Sequence, residues 1–363
     1  MIKIASIKFG GLSAGGTEKW FQTVVANLPK NKFEIDYLYT DSAPYIGSNW
    51  VHPDTDPDRK QYMIDNNINL KKINVKAKNL QTETHEWVET DFWEIFNSKK
   101  YDLVLSARAG HPEYPFYKIN DIPEVAFITL AGMAEIKENV KKYIHISKFQ
   151  ESSWLNAGGD KSKSEVVYLF TEHKAEPGEN FKIKFNLNNK FIFGMHQRND
   201  DNIFSPIPLM AYSKIENDNT AFVIMGGGNK YKIQAKNLNL KNVFFVDHSS
   251  NTLNLNNFLR TLDVYAHGRA DGETYGQAIA EGMSYGLPVI SHISPNMGHI
   301  ETIGDGGVVC LNEEEYAEEM KKLQFNKNYY SERSINSKNR FENELSIDIN
   351  MEKIIKILEE ATQ

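Results

Sequence analysis

The sequence predicts an α/β protein of two doubly wound domains, each a parallel sheet covered by helices. Three observations lead there. The 363 residues exceed one ordinary domain and suit two of about 150 to 180 residues. Short apolar, β-branched runs alternate with helical patterns along nearly the whole chain, the signature of strands joined by helical crossovers. One polar stretch, residues 171–184 (TEHKAEPGENFKIK), interrupts the alternation near the middle, and the pattern restarts after it.

In the first half, strands are predicted at 2–7, 33–39, 70–75, 102–107, 124–130, 143–147 and 165–170. In the second half they are predicted at 191–195, 221–226, 243–247, 263–267, 287–291 and 307–311. The domains are therefore set at 1–172 and 186–345, with a linker at 173–185. Residues 346–363 carry apolar side chains at helical spacing and are expected to form a terminal helix packing back toward the first domain. Trp20, Phe21, Val24, Val25 and Leu28 form one apolar face on the first helix, and core packing is its expected use. No Lys/Arg-rich face accompanies it, so peripheral membrane contact is not predicted.

Composition excludes several classes. A hydrophobic fraction of 40% and a charged fraction of 25% are those of a soluble globular protein. No apolar run reaches the roughly 18 residues of a membrane span. The start, MIKIASIKFGG, is interrupted by Lys3 and Lys8 and lacks a cleavable signal pattern. A single cysteine, Cys310, excludes an internal disulfide and a Cys-cluster metal site; within GVVCL it is expected to be buried. A cytoplasmic location follows as the expectation. The net charge of -7 argues against nucleic acid, whose binding rests on a basic surface. A small anionic ligand is not excluded, since a local site can be positive on an acidic protein.

The informative segment is 271–291, DGETYGQAIAEGMSYGLPVIS. Glu273 stands in a Gly-bearing loop after the strand DVYAH. Gly276 opens a helix that Gly286 and Pro288 close, and Glu281 lies eight positions after Glu273. Were the span helical, it would cover about 12 Å at about 1.5 Å per residue. That scale suits a nucleotide sugar, with one carboxylate on the hexose hydroxyls and the other on the ribose. A diphosphate between them would meet the amides of Thr274, Tyr275 and Gly276, because a helix start offers N–H groups and a favourable dipole. Taken alone, an E-x7-E spacing is common, and solvated charge is the bland reading. The strand before it and AEGMSYGLPVI behind it reverse that.

Here the sequence resembles the retaining family-four glycosyltransferases of the GT-B fold. Their pattern E-G-F-G-x-x-x-x-E-A-M-A-x-G-x-P-V-I stands here as Glu273-Thr-Tyr-Gly276 to Glu281-Gly-Met-Ser-Tyr-Gly286-Leu-Pro288-Val-Ile. The resemblance extends along the chain. Gly15-Gly16-Thr17-Glu18 resembles the family's G-G-x-E loop, and Ser147-Lys148-Phe149-Gln150 its S-x-F-Q helix start. AFVIMGGG resembles its strand ending in a Gly turn, and residues 253–263 the helix before its penultimate core strand.

The resemblance implies a nucleotide-sugar donor held mainly by the second domain, transfer with retention to a glycan, glycolipid or other hydroxyl acceptor, and no cofactor or metal. By it, Glu273 is catalytic and holds the transferred sugar, while Glu281 holds the ribose. Gly15 and Gly16 let the backbone approach the donor phosphates; a plain helix-entry turn is their alternative. Arg198 matches the arginine at the diphosphate, with an exposed loop arginine as its alternative. Asp247, His248 and Arg269 are further candidates for base or phosphate contacts. Two departures from the family bear on the chemistry. Ile203 stands where the family has a phosphate-binding Lys, leaving Arg269 as a substitute by proximity. Thr129-Leu130-Ala131-Gly132 lacks the family's His, and His111, with Arg108 and Glu113 beside it, is the catalytic candidate in its place.

Asp54, Asp56 and Asp58 alternate in HPDTDPDRK, but a calcium loop needs Gly where Arg59 stands, so a solvated loop is expected. Two other functions compete with transfer. One is a nucleotide-sugar-binding protein that has lost transfer, motivated by Ala131 and Ile203. The other is an NAD-dependent oxidoreductase, suggested by the strand–Gly-rich–helix start, although GGLSAGGTE lacks the G-x-G-x-x-G fingerprint.

Overall fold

A computed structural model describes residues 1–8, 12–13, 15–40, 55–78, 88–170, 181–249 and 251–363. The chain divides into two units, Met1–Leu169 with Asp348–Gln363, and Phe170–Ile347.

The first unit holds β1 (Ile2–Lys8), β2 (Phe33–Thr40), β3 (Asn69–Ile73), β4 (Val75–Lys78), β5 (Val88–Thr90), β6 (Leu103–Arg108), β7 (Glu124–Ile128), β8 (Val140–His145) and β9 (Ser164–Val166). Seven of these form a parallel sheet in the order β3-β2-β1-β6-β7-β8-β9, and β4 pairs with β5 antiparallel. The β4–β5 pair was not anticipated, because it is short and interrupted in sequence. Strand interiors such as Ile4, Ala5, Val104 and Leu105 are fully buried, as a sheet covered on both faces requires. Trp20, Phe21, Val24, Val25 and Leu28 are buried from the helix Gly16–Asn27, and the Trp20 and Phe21 rings pack edge-on against Phe127. The terminal helix, Ile347–Ala361, has a buried face of Met351, Ile354, Ile357, Leu358 and Ala361. Its residues from Asp348 onward belong to this first unit.

Asp54 lies outside the described residues. Asp56 caps the helix Pro57–Asp65, accepting from the Arg59 amide, so this stretch is a helix start where a loop was expected. A short polar side chain before Pro at the first helical turn explains it.

The second unit holds β10 (Phe191–Gln197), β11 (Thr220–Gly226), β12 (Val243–Val246), β13 (Val264–Ala266), β14 (Gly272–Glu273), β15 (Val289–His292), β16 (Asn296–Met297) and β17 (Gly307–Cys310). Six form a sheet in the order β12-β11-β10-β13-β15-β17, and β14 pairs with β16. Most of the linker stretch lies outside the described residues. Its end does not: Phe181–Lys184 is a helical turn, with the Phe181 amide bonded to Thr261 and its ring against Phe258. Cys310 is buried. Among the described residues no helix is long and apolar enough to cross a membrane.

In each sheet the chain order reverses once, between β1 and β6 in the first unit and between β10 and β13 in the second. In open parallel sheets the crevice outside the carboxyl ends at such a reversal is where ligands bind. The reversals therefore single out Lys8 and Arg108 in the first unit, and 196–198 and 267–273 in the second.

Candidate functional site

In the second unit β13 ends at Ala266, and the next seven residues turn back to form β14. Gly268 is required there, since a Cβ would stand 2.2 Å from Pro208. The Ala270 amide donates to the Ile203 carbonyl at 3.1 Å, tying the turn to the segment after β10. Gly272 has φ +75°, and a Cβ on it would lie 2.0 Å from the Asn296 carbonyl. That close approach allows β14 to pair with β16 and fixes the backbone of Glu273.

Arg269 spans two carboxylates. Its Nε and Nη2 bond Asp271 at 2.6 and 3.0 Å, and its Nη1 reaches both oxygens of Glu273 at 3.3 and 3.2 Å. His267 Nε2 stands 3.8 Å from Glu273 Oε1, an ion-pair distance and too long for a hydrogen bond. Burial would push the Glu273 carboxyl up; His267 and the Arg269 charge outweigh it and hold it below the usual carboxylate range. Asp271 is likewise lowered against the effect of burial, chiefly by Arg269, with Arg198 adding to the pull. Arg198 is largely exposed and folds back onto Asp200 at 2.9 Å. The charges of Arg198 and Arg269 thus converge on one carboxylate.

After Glu273 the chain passes Thr274 and a buried Tyr275 to Gly276, which caps the helix Gln277–Ser284 from the left-handed conformation (φ +102°). Glu281 lies inside that helix, and its Oε2 is 2.8 Å from His196 Nε2. Only the second half of the 273–281 span is helical, so the fully helical 12 Å scale does not apply to it. His248, after β12, is exposed; partial desolvation and then the His196 charge push its pKa down. Asp247 is exposed beside it. Ile203, where a lysine was looked for, is buried, and its contribution to the turn is its backbone carbonyl.

The remaining candidates lie in the first unit. Gly15 precedes the helix Gly16–Asn27, and a Cβ there would press on Glu18 at 2.4 Å; among the described residues no atom lies within 4 Å of a Cβ added at Gly16. His111 sits in the loop after β6 with Nδ1 2.9 Å from the Pro112 carbonyl. Arg108 does not join it as a presented side chain. Its guanidinium is fully buried between Glu135 at 2.6 Å and Glu124 at 3.5 Å, and this replaces the expectation that it projects with His111. The cause is Glu124, itself buried and bonded by Ser106, which needs a cation beside it. At the β1–β6 reversal the charged groups are instead Lys8, paired with Glu18 at 3.2 Å, and Glu113. Burial pushes Glu113 up, against the pull of Lys8, His111 and Arg108.

Sequence reasoning passed over His196, His267 and Lys8. All three stand at carboxyl ends of the strands flanking a reversal, and a polar residue closing an apolar strand was the available signal.

Residues 179–340 match the family model described as glycosyl transferases group 1. No curated protein sequence matches the chain. Among solved structures the chain is similar to Anabaena HepE in complex with UDP and glucose, with TM-score 0.74 and 14% identity over 99% of this chain and 100% of that one. It is similar to a glycosyltransferase from Rickettsia africae, with TM-score 0.72 and 16% identity over 100% and 99%. It is also similar to WaaG, a glycosyltransferase involved in lipopolysaccharide biosynthesis, with TM-score 0.66 and 13% identity over 98% and 99%. At such identities the likeness is one of fold. The two parallel sheets are those of the GT-B fold, and residues 179–340 carry the similarity to the glycosyl transferases group 1 family.

Proposed function

We propose that the chain transfers a sugar from a nucleotide-sugar donor to a hydroxyl acceptor, a glycan or glycolipid, with retention at the anomeric carbon and without a metal ion. The observation that supports this most is the pair of acids flanking the Gly276 turn at the carboxyl edge of the second sheet, with two arginines close by. Glu273 accepts from the hydroxyls of the transferred sugar, and Glu281 from the ribose. Glu273, held below the usual carboxylate range, has the ionised form that accepting requires.

The diphosphate takes the place between them. Arg198 and Arg269 offer planar forks for its oxygens and offset the charge that grows on the departing nucleotide. The start of the helix Gln277–Ser284 adds N–H groups and the positive end of its dipole. With this cationic set, neutralisation needs no divalent ion. Gly15 and Gly16 let the first loop's backbone come near the phosphates, and no described residue stands within 4 Å of a Cβ added at Gly16. Asp247 and His248 are the candidates for the donor base, and His111 for the acceptor side. HepE was crystallised with UDP and glucose, which makes UDP-glucose the first donor to try.

A second reading, donor binding without transfer, is favoured by buried Ile203 where a phosphate-binding lysine was looked for. Incubation of the protein with UDP-, GDP- and ADP-glucose, in chelator or Mg²⁺, over a glycan and glycolipid panel separates the two. Transfer or slow donor hydrolysis in chelator, with retained configuration in the product NMR spectrum, is expected. Tight donor binding with neither would establish the second reading.

A further inference from the structure

Each acid of the pair is backed by a histidine, and each histidine by a buried hydroxyl. Glu281 Oε2 lies 2.8 Å from His196 Nε2, whose ring partner Nδ1 is 3.2 Å from the Tyr265 hydroxyl. Glu273 Oε1 lies 3.8 Å from His267 Nε2, whose Nδ1 is 2.8 Å from Ser291 Oγ. The two histidines stand at the carboxyl ends of β10 and β13, the strands on either side of the reversal. Tyr265 and Ser291 are 0% exposed, so neither hydroxyl can reach a substrate, and the function left to each is to fix a ring.

Proton placement follows from the partners. A carboxylate only accepts, so the His196 nitrogen bonded to Glu281 carries hydrogen, while the Tyr265 hydroxyl has both His196 Nδ1 and the His196 carbonyl at 3.2 Å. Glu281 therefore faces an N–H set by a strand end, and Glu273 stands at ion-pair distance from a second ring placed the same way. For Glu273 this matters once a donor arrives. Arg269 holds Glu273 and Asp271 together in the free protein; drawn to a diphosphate, it would leave Glu273 to His267.

We propose that His196 and His267 are positioning residues, the first orienting Glu281 on the nucleoside half of the donor and the second orienting Glu273 on its sugar half. This rests on the donor assignment above.

Two measurements test it. In the unliganded protein, ¹⁵N-histidine NMR reads the ring protonation directly: hydrogen on Nε2 of both residues is expected, and an Nδ1–H, Nε2-bare ring at either overturns the proposal whatever the protein binds. The second uses variants, because Gln places an amide nitrogen where Nε2 stands and Asn places one where Nδ1 stands. With UDP, GDP, ADP and their glucose conjugates as probes, His267→Asn is expected to lower turnover about tenfold, as one close contact of Glu273 is removed, with nucleoside-diphosphate affinity unchanged. His267→Gln is expected to stay within about threefold of the wild type on the same scale. His196→Asn is expected to weaken the nucleoside diphosphate itself about tenfold, and His196→Gln to restore it. Ser291→Ala, which keeps the His267 ring, guards against a folding defect and is expected to shift turnover in the same direction as His267→Asn. Equal effects of Asn and Gln, or loss of nucleotide binding in the His267 variants, would overturn the proposal while leaving the donor assignment intact. Failure of the wild type to bind any probe would overturn the donor assignment and this inference together.

Discussion

At the scale of single residues, the site turns on carboxylates kept ionised against burial. Glu273 is held below the usual range although desolvation opposes it, because His267 and Arg269 stand close. An uncharged isostere would keep the shape and remove the charge. Glu273→Gln is expected to reduce transfer about 100- to 1,000-fold, the size seen when one pre-organised electrostatic contact is removed, with the melting temperature nearly unchanged. A steady-state assay on the two proteins checks it. Buried histidines have a different signature. Burial pushes His145 and His299 each down to about 4. An unfolded histidine titrates near 6.5, so below that pH the unfolded chain takes up protons that the folded chain refuses. Stability is therefore expected to be full above about pH 6.5 and to fall toward pH 4, by up to about 1.4 kcal/mol per pH unit for each histidine. Urea unfolding of His145→Gln at pH 7, 6 and 5 should show a slope shallower by about that amount; identical slopes would contradict the assignment.

At the scale of elements, the helix Gln277–Ser284 and the turn before it carry the site, and the sequence pattern had located both. Gly276, Glu281, Gly286 and Pro288 announced a helix with its cap and stop, and the helix ends at Ser284 with Gly286 at φ +68°. The two-residue strands β14 and β16 were not legible, since such a pairing leaves no periodicity. The partners of the two acids were not legible either. Glu273 meets Arg269 through a turn tied to the Ile203 carbonyl, and a backbone bond has no signature in side-chain identity. One departure from the family pattern does acquire a cause. Glycine replaces alanine at 282 because a Cβ would lie 2.9 Å from the Tyr265 ring beneath it. Gly282→Ala is expected to cost about 1–3 kcal/mol by overpacking, partly offset by about 1 kcal/mol of helix propensity. Displacing Tyr265 should also loosen His196 and weaken donor binding. Thermal melts and titrations on one preparation test both effects; unchanged values in each would show that the helix shifts freely.

At the scale of the whole molecule, thirteen expected strands fall in two parallel sheets because parallel, doubly covered strands are near-continuous apolar runs, the clearest pattern a sequence offers. Strand order was not legible, and it is the order that puts the reversal between β10 and β13. The charged candidates of the first half fared less evenly. Arg108 looked available in sequence and is fully paired inside, since nothing local reveals Glu124 and Glu135. The last helix closes the first unit from the far end of the chain, with Met351, Ile354, Ile357, Leu358 and Ala361 buried. Truncation after Ile347 is expected to destabilise that unit, as several buried aliphatic side chains are worth roughly 1.5–3 kcal/mol each. Differential scanning calorimetry should show the lower transition shifted or lost, and an unchanged profile would deny the helix that role.

The proposed function places a nucleotide sugar on the second unit through Glu281 and Glu273. The most direct measurement is a thermal-shift titration of the wild type, Glu281→Gln and Glu273→Gln against UDP-, GDP-, ADP- and CMP-sugars, with and without Mg²⁺. A ligand at 100 times its dissociation constant adds about 2.7 kcal/mol to a folded state, so donor binding is readily seen. A metal-independent shift with one nucleotide class, reduced in both variants, is expected. No shift with any nucleotide sugar, or one indifferent to both substitutions, would contradict it.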